Sequence, residues 1–452
     1  MTRIAMSRRT SLLILGDLLA FVFSLILTLT VRYGSIPDRT LFLTHIVPFS
    51  VLFLVFILVG MTVGLYDKQA AFVRRNIRGL VLQTQIVNIL FGVIFFYFAP
   101  VVIAPKVNLF IYFIISTAAL YLWRGFMFPV IVSGRKRIGI IIGTGADVED
   151  LYSEVMGDGK YGMVFKEKLV PDLEPGKMAM IIKEAVARTG ASLVIADLRN
   201  PAVEGAMSSL YSLIFSGVQV MDVSILYEAI FDRIPLSLVG ERWLVENSVL
   251  AVGKSKAYDV FKRAMDIVVA LVVGLVSLLL YPFICLAIKA DDGGPLFVVQ
   301  ERVGKNGKSI KIIKFRSMTA DDGGMYGAGQ KTTQSITKVG HFIRMTRLDE
   351  LPQLWSVIKG DQSLIGPRPE LPALVKIYEK EVPYYNARHL IKPGLSGWAQ
   401  IYHRAHPHHA VAINDTRDKL SYDLFYVKNR SLPLDMKIAL QTLRALISRQ
   451  GI

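Results

Sequence analysis

Four long runs nearly free of charge open the chain, at 11–31, 46–66, 79–105 and 107–123. Each lies close to the ~20 residues that carry a helix across a bilayer, where only helices and closed barrels leave no backbone group unpaired. The first reads as a span rather than a cleaved leader, because its apolar stretch is too long and three more follow. Basic residues alternate between the connecting segments. Arg3, Arg8 and Arg9 precede the first run, Lys68, Arg74, Arg75 and Arg78 follow the second, and Arg124, Arg135, Lys136 and Arg137 follow the fourth. The short 100–106 link has only Lys106. The positive-inside rule then places the N-terminus and residue 137 in the cytoplasm. Asp17 is the one acid inside a span, and its place near the cytoplasmic end predicts a snorkelling or helix-paired structural role rather than conduction.

A fifth apolar run, 267–288, is long enough to cross, but its flanks object. Lys254, Lys256, Lys262 and Arg263 precede it, and Lys289, Arg302, Lys305, Lys308, Lys311, Lys314 and Arg316 follow. Positive charge on both sides predicts that both ends face the cytoplasm. Pro282 removes a helix hydrogen bond within the run and invites a break near Tyr281–Pro282. A helix over 262–289 that enters, breaks and returns satisfies both facts.

Composition agrees with a membrane part joined to one or two further domains: 52% of the 452 residues are hydrophobic and the mean hydropathy is +0.44. Charge is unevenly spread. Residues 1–137 hold 14 lysines and arginines against 3 acids (+11), residues 138–253 hold 9 against 16 (−7), and residues 254–452 hold 29 against 17 (+12). An acidic middle between basic ends argues against a continuous nucleic-acid surface. The single cysteine, Cys285, allows no intrachain disulfide and requires no oxidising compartment.

Within a module expected over 135–253, residues 137–224 alternate apolar runs with helical patterns. Strands are expected at 137–143, 163–170, 191–197 and 218–224, and helices at 146–156, 178–189 and 203–215. That series predicts a parallel, Rossmann-like α/β sheet. Its first turn, GTGADV, has Gly143 and Gly145 but Val148 where a dinucleotide fingerprint places its third glycine. Asp147 would also set negative charge beside a bound pyrophosphate. The two glycines are equally what a tight strand-to-helix turn needs, and the structural or regulatory use is the preferred reading.

The chemistry-bearing residues lie in 254–452. After the fifth run, short strands and glycine turns carry Arg302, Lys311, Lys314 and Arg316, cations that suit a diphosphate or anionic lipid headgroups equally well. Asp349 and Glu350 then stand side by side among Arg344, Arg347 and Arg368. Leu351, Leu354, Trp355 and Ile358 recur at helical spacing, so 350–359 reads as an amphipathic helix ending at Gly360, with Pro352 in its first turn and Asp349 near the N-cap. On spacing alone the acids either cap the helix and favour its dipole, or attack phosphorus and hold a metal where the helix start attracts phosphate. Both readings stay open at this level.

The motifs FKRAMDIVVA (261–270), GGPLFVVQERVGKNGK (293–308), IKFRSM (313–318), TRLDELPQLWSVIKGDQSLIGPRPE (346–370), IKPGLSGWAQ (391–400) and YDLFYVKNRSLPLDMKI (422–438), in this order, resemble the bacterial sugar transferase family, the monotopic phosphoglycosyl transferases. The whole layout resembles the large members: four spans over 1–134, a Rossmann-like module over 135–253 and a transferase domain over 254–452. The resemblance implies transfer of a sugar-1-phosphate from a UDP-sugar to undecaprenyl phosphate at the start of bacterial glycan assembly. It implies Asp349 as nucleophile and Glu350 as Mg²⁺ ligand. It also implies phosphate binding by Lys314, Arg316, Arg344, Arg368 and, more weakly, Arg302, and re-entry of the helix broken at Pro282. A bacterial inner-membrane location with a cytoplasmic active site follows from it, as does a homodimer by analogy with large relatives.

The chain departs from the family after GWAQ, where IYHRAHPHHA (401–410) replaces an Asn-Gly-Arg segment found in many relatives. His403, His406, His408 and His409 lack the companion cysteine or acid spacing of a metal site and read as surface or substrate-side residues. Tyr384, Tyr385, Trp398 and Tyr402 suit an interfacial belt or core packing equally. The rival reading is a non-catalytic membrane scaffold that binds anionic lipid and a protein partner. Transport would need several polar groups within the spans, and an NAD-dependent enzyme would need an intact glycine fingerprint.

Overall fold

The computed structural model describes residues 8–62, 65–66, 77–98, 106–127, 136–157, 161–171, 176–246, 256–319, 335–402 and 413–447. The chain divides into two compact units, Met1–Ile230 and Phe231–Ile452.

The first unit opens with α1 (Arg8–Tyr33), α2 (Arg39–Thr62), α3 (Ile77–Phe98) and α4 (Lys106–Leu122), which runs on through a π turn at Trp123–Met127. All four helices are long and apolar enough to cross a membrane. Helix α2 begins seven residues before its apolar run, because the Asp38 side chain accepts the Leu41 amide at 2.8 Å and so satisfies an orphan donor at the helix start. Helix α3 ends at Phe98, and the rest of the expected 79–105 run lies outside the described residues, as do Arg3, Lys68, Arg74, Arg75 and Arg135. Inside the bundle Phe21, Phe49, Phe53, Phe56 and Tyr112 interlock, while Leu19, Phe23, Leu54 and Phe110 point outward, as a lipid-facing surface requires.

Asp17 is buried and paired. Arg124 donates to it through two nitrogens, one at 2.9 Å, and Tyr66 donates from its hydroxyl. Arg124 also donates to the Leu65 carbonyl at 2.8 Å. The acid in the first span is therefore a structural, helix-paired group. Arg124, one of the flanking charges in the sidedness argument, turns out to be its buried partner.

The remainder of this unit carries β1 (Arg137–Ile142), α5 (Ala146–Gly157), β2 (Met163–Leu169), α6 (Lys177–Thr189), β3 (Leu193–Ala196), α7 (Pro201–Gly205), α8 (Met207–Phe215), β4 (Gln219–Asp222) and α9 (Val223–Phe231). The strands form one parallel sheet in the order β2-β1-β3-β4. Ile140, Ile141, Ile142, Val194 and Ile195 are wholly buried, which explains why these strands read as continuous apolar runs. Val148 is buried, and a side chain on Gly143 would meet it at 3.2 Å. The residue in place of the third glycine thus fills the turn with packing. The single helix expected over 203–215 is two, because Ala206 leaves helical register between α7 and α8.

The second unit contains α10 (Lys256–Leu278) and α11 (Tyr281–Asp292), bent by 57° at Leu279–Leu280. The cause is local: Pro282 has no N–H to give Leu278, and its ring crowds that carbonyl, so α10 stops there and α11 restarts with proline in its first turn. The chain continues through the hairpin β5 (Phe297–Val303) and β6 (Ser309–Phe315), α12 (Lys338–Met345), a 3₁₀ turn at Leu348–Gln353, α13 (Leu354–Lys359), β7 (Ser363–Ile365), α14 (Pro372–Glu381), β8 (Gly394–Ser396), α15 (Trp398–Tyr402), α16 (Ile413–Asn429) and α17 (Leu432–Ile447). Strands β7 and β8 pair in parallel. Trp398 is buried in a core with Ile365 of β7, and Tyr385 in another with Val375, Tyr378 and Leu424, which accounts for these two aromatics as packing, whereas Tyr402 is exposed.

One face of α10 ties the broken helix to this core. Arg263 donates to the last carbonyls of α13, Val357 at 2.6 Å and Ile358 at 2.7 Å. Asp266 accepts the Ser363 hydroxyl at 2.7 Å and the Leu364 amide at 3.1 Å. Tyr258 and Lys262 both reach Asp435 of α17, at 2.8 and 2.9 Å. The opposite face, with Val268, Val272, Leu275 and Leu279, and Phe283 and Leu286 of α11, is exposed and apolar. Within one element the polar half grips the core and the apolar half is left exposed.

Candidate active site

The segment joining α12 to α13 places the two acids. Thr337 caps α12 by accepting the Gly340 amide, and the chain then reverses through Arg347 in the left-handed region (φ 53°). The helix expected over 350–359 ends as read, at Gly360 (φ 100°), but its start differs. It opens as a 3₁₀ turn whose N-cap is Arg347, so Asp349 sits within the first turn rather than at the cap. Pro352 again supplies the reason: with no N–H to donate backwards, it cannot join an α-helical ladder there.

Glu350 lines a cleft together with Arg302, Ile312 and Lys314 of the hairpin, Gln353, Arg368, Pro369, Gly394 and Leu395. Arg368 meets the Glu350 carboxylate at 3.0 Å and Arg347 approaches it at 3.9 Å. Burial works against the charged form of Glu350, but Arg368, Lys314 and Arg347 outweigh it and hold the carboxyl well below its ordinary value. Asp349 goes the other way: burial and the neighbouring Glu350 charge push it up to about 6 against the pull of Lys314, Arg368 and Arg344. The Lys314 ammonium is pushed down to about 8 by burial and by Arg368, with Glu350 opposing. Two adjacent carboxylates are thus split, one held ionised and one given greater proton affinity, an arrangement that separates chemical roles.

The residues singled out in the sequence do not all converge. Lys314, Arg368, Arg302 and Glu350 share the cleft, and Arg344 acts on Asp349 electrostatically. Arg316 instead pairs with Asp292 at the end of α11, its guanidinium packed against Gly294. Arg302 contacts the Pro369 carbonyl at 3.5 Å and Gln300 at 2.8 Å. Residues 403–412, with the whole histidine cluster, lie outside the described residues.

Other residues support the site without a motif to announce them. Arg388 is buried, donates to Asp423 at 2.9 Å and to the Tyr385 hydroxyl at 2.8 Å, and holds the Arg368 carbonyl at 2.9 Å. The Val303 amide takes the Glu370 carbonyl at 2.9 Å, and Lys419 pairs with the Glu370 side chain. The stretch Arg368–Pro369–Glu370 is therefore tied at each of its three carbonyls. One sequence signal was present for Asp423: it follows Leu420 by three residues and precedes Leu424 and Val427 on the buried face of α16, where an acid needs a partner.

Comparison with known proteins bears directly on this unit. The model of the family described as "Bacterial sugar transferase" matches residues 257–449. A UDP-N-acetylgalactosamine-undecaprenyl-phosphate N-acetylgalactosaminephosphotransferase of Aeromonas hydrophila is 37% identical over 262 residues, covering 57% of this chain and 59% of that protein. The exopolysaccharide production protein PSS of Rhizobium leguminosarum bv. phaseoli is 40% identical over 195 residues, covering 42% of this chain and 96% of its own length. The UDP-glucose:undecaprenyl-phosphate glucose-1-phosphate transferase of Escherichia coli K12 is 38% identical over 185 residues, covering 40% of this chain and 39% of that protein. The match to the Rhizobium protein runs over nearly all of it, and with the family match across the second unit it establishes that the chain belongs to the bacterial sugar transferase family.

Proposed function

We propose that this protein transfers a sugar-1-phosphate from a UDP-sugar to undecaprenyl phosphate, the first membrane step in assembling a bacterial polysaccharide. The observation that carries the reading is the split carboxylate pair, Asp349 and Glu350, beside a cleft walled by Lys314, Arg302 and Arg368. Asp349 Oδ attacks the β-phosphorus of the donor; the bond from that phosphorus to the oxygen bridging the two phosphates breaks, and UMP leaves with that oxygen. Undecaprenyl phosphate then attacks the same phosphorus through a phosphate oxygen. The bond to Asp349 breaks, which yields the undecaprenyl-diphosphate-sugar and the free carboxylate. Phosphoryl transfer depends chiefly on positioning and charge neutralisation, which Lys314 and Arg368 supply in the cleft and Arg344 supplies beside Asp349.

Among the described residues no cluster of three or more His, Cys, Asp or Glu could enclose a metal ion. Mg²⁺ commonly uses only one or two carboxylates and completes its shell with water and substrate phosphates, and an ionised Glu350 beside Asp349 fits that pattern. Bound by Glu350, Mg²⁺ would neutralise charge on the donor phosphates.

The sheet order and strand-helix alternation of the first unit support a Rossmann-like module. Re-entry of α10–α11 has a geometric argument. The apolar part of α10 before the bend, 267–278, rises roughly 18 Å, short of a hydrocarbon core of about 30 Å. With cations on both flanks, the pair dips into the cytoplasmic leaflet of the inner membrane and returns. A soluble nucleotide-sugar and a lipid-borne phosphate can then meet at the interface.

The test is UMP release by the full-length protein in detergent, with undecaprenyl phosphate, Mg²⁺ and a panel of UDP-sugars. The proposal expects release that requires the lipid and favours one donor. A folded preparation that releases UMP from none of them contradicts it and favours a lipid-binding scaffold.

A further inference from the structure

Resting on that reading of the cleft, we infer that Gln353 is a substrate-binding residue whose carboxamide hydrogen-bonds the diphosphate oxygens of the nucleotide-sugar. In a 3₁₀ turn residues three apart eclipse one another, so Gln353 lies on the same face as Glu350, one turn of about 6 Å further along. Both line the cleft with Arg302, Lys314 and Arg368. Gln353 is only 4% exposed, yet its side chain makes no hydrogen bond to another described residue. Its carboxamide atoms are not among the fully buried unpaired polar atoms, so on an otherwise buried side chain they open onto the cleft, placed to bond what the cleft receives.

The company it keeps indicates the ligand. Glu350 is engaged by Arg368 and Arg347, and Arg302 by Pro369 and Gln300. Lys314 and Gln353 are the polar cleft side chains that hold no hydrogen bond within the described residues. An ammonium and a neutral N–H donor facing the same space suit a non-bridging phosphate oxygen. The lysine supplies charge, and the amide supplies a directed bond without deepening the electrostatic trap that UMP must leave.

The test uses full-length protein carrying Asp349→Asn, so that ligands bind without turnover, and titrates UDP, inorganic pyrophosphate and uridine. Adding Gln353→Leu should weaken UDP and pyrophosphate about tenfold, the worth of one hydrogen bond to a charged group, and leave uridine unchanged. The isosteric Gln353→Glu, which preserves shape and turns the donor into an anion, should weaken both phosphates further, with part of the loss relieved by added salt. Equal UDP binding with and without Gln353→Leu would overturn the inference, and so would parallel losses for UDP and uridine. An Asp349→Asn parent that binds no UDP would instead overturn the reading of the cleft itself.

Discussion

Replacing Arg388 by methionine tests how the site is held in place. Arg388 and Asp423 form an ion pair in which each side chain is about 1% exposed, and Arg388 also fixes the Tyr385 hydroxyl and the Arg368 carbonyl. Arg388→Met leaves Asp423 buried and uncompensated, a loss of about 3–5 kcal/mol. For a unit of this size that corresponds to a fall in Tm of about 6–20 °C. Adding Asp423→Leu removes the stranded charge, and the double variant should regain most of the stability, because well-packed apolar replacements of buried pairs are often neutral. Donor KM should not recover with it, because the Arg368 carbonyl has still lost its tether. Thermal unfolding in detergent gives the first quantity and steady-state UMP release the second. A single variant that unfolds within 2 °C of wild type would refute the energetic reasoning. A double variant with both stability and KM restored would refute the positioning role.

Three further outcomes follow from the same geometry. Asp349, raised from 3.8 to about 6, is charged and able to attack only as pH rises through 6, so the lipid-independent first step should accelerate across that range. Its stability effect has the opposite sign. The folded carboxyl keeps a proton that the unfolded one has lost, so wild type loses stability from about pH 4 to about pH 6, and the Tm advantage of Asp349→Asn should be full above pH 6 and absent below pH 4. Lys314, lowered to about 8, loses its charge above that pH; donor KM should rise there, and Lys314→Arg should delay the rise. Asp266→Leu strips the acceptor from the Ser363 hydroxyl and the Leu364 amide, which should cost about 1–3 kcal/mol for each donor left buried and appear as a lower Tm.

Much of this was legible in the residues. Unbroken apolar runs announce the four spans, and Pro282 in a fifth announces the bend, since a missing N–H acts locally. The βα alternation pointed to the parallel sheet, and the apolar runs of the inner strands β1 and β3 reflect burial on both faces. What stayed hidden depended on long-range pairing or on exact helical pitch. Nothing near Arg124 says that it will turn inward to Asp17, more than a hundred positions away. Arg316 stands among cations that suit phosphate, and only the fold reveals that Asp292 takes it. Gln353 comes directly under Glu350 in the 3₁₀ turn, whereas in the α-helix that periodicity suggested it would share that face with an offset of about 60°. The spacing of Asp349 and Glu350 served a cap and a reaction equally well; the fold puts Asp349 inside the first turn, and the opposite environments of the two acids support the proposed reaction.

The most direct test of the account is to mix the protein with a UDP-sugar labelled in its β-phosphate, omit the lipid, quench in acid and locate the label by mass spectrometry. The account predicts one labelled phosphosugar on Asp349, lost on adding undecaprenyl phosphate and absent from Asp349→Asn. Lipid-dependent UMP release with no label on the wild-type protein, or label that persists in Asp349→Asn, would contradict it.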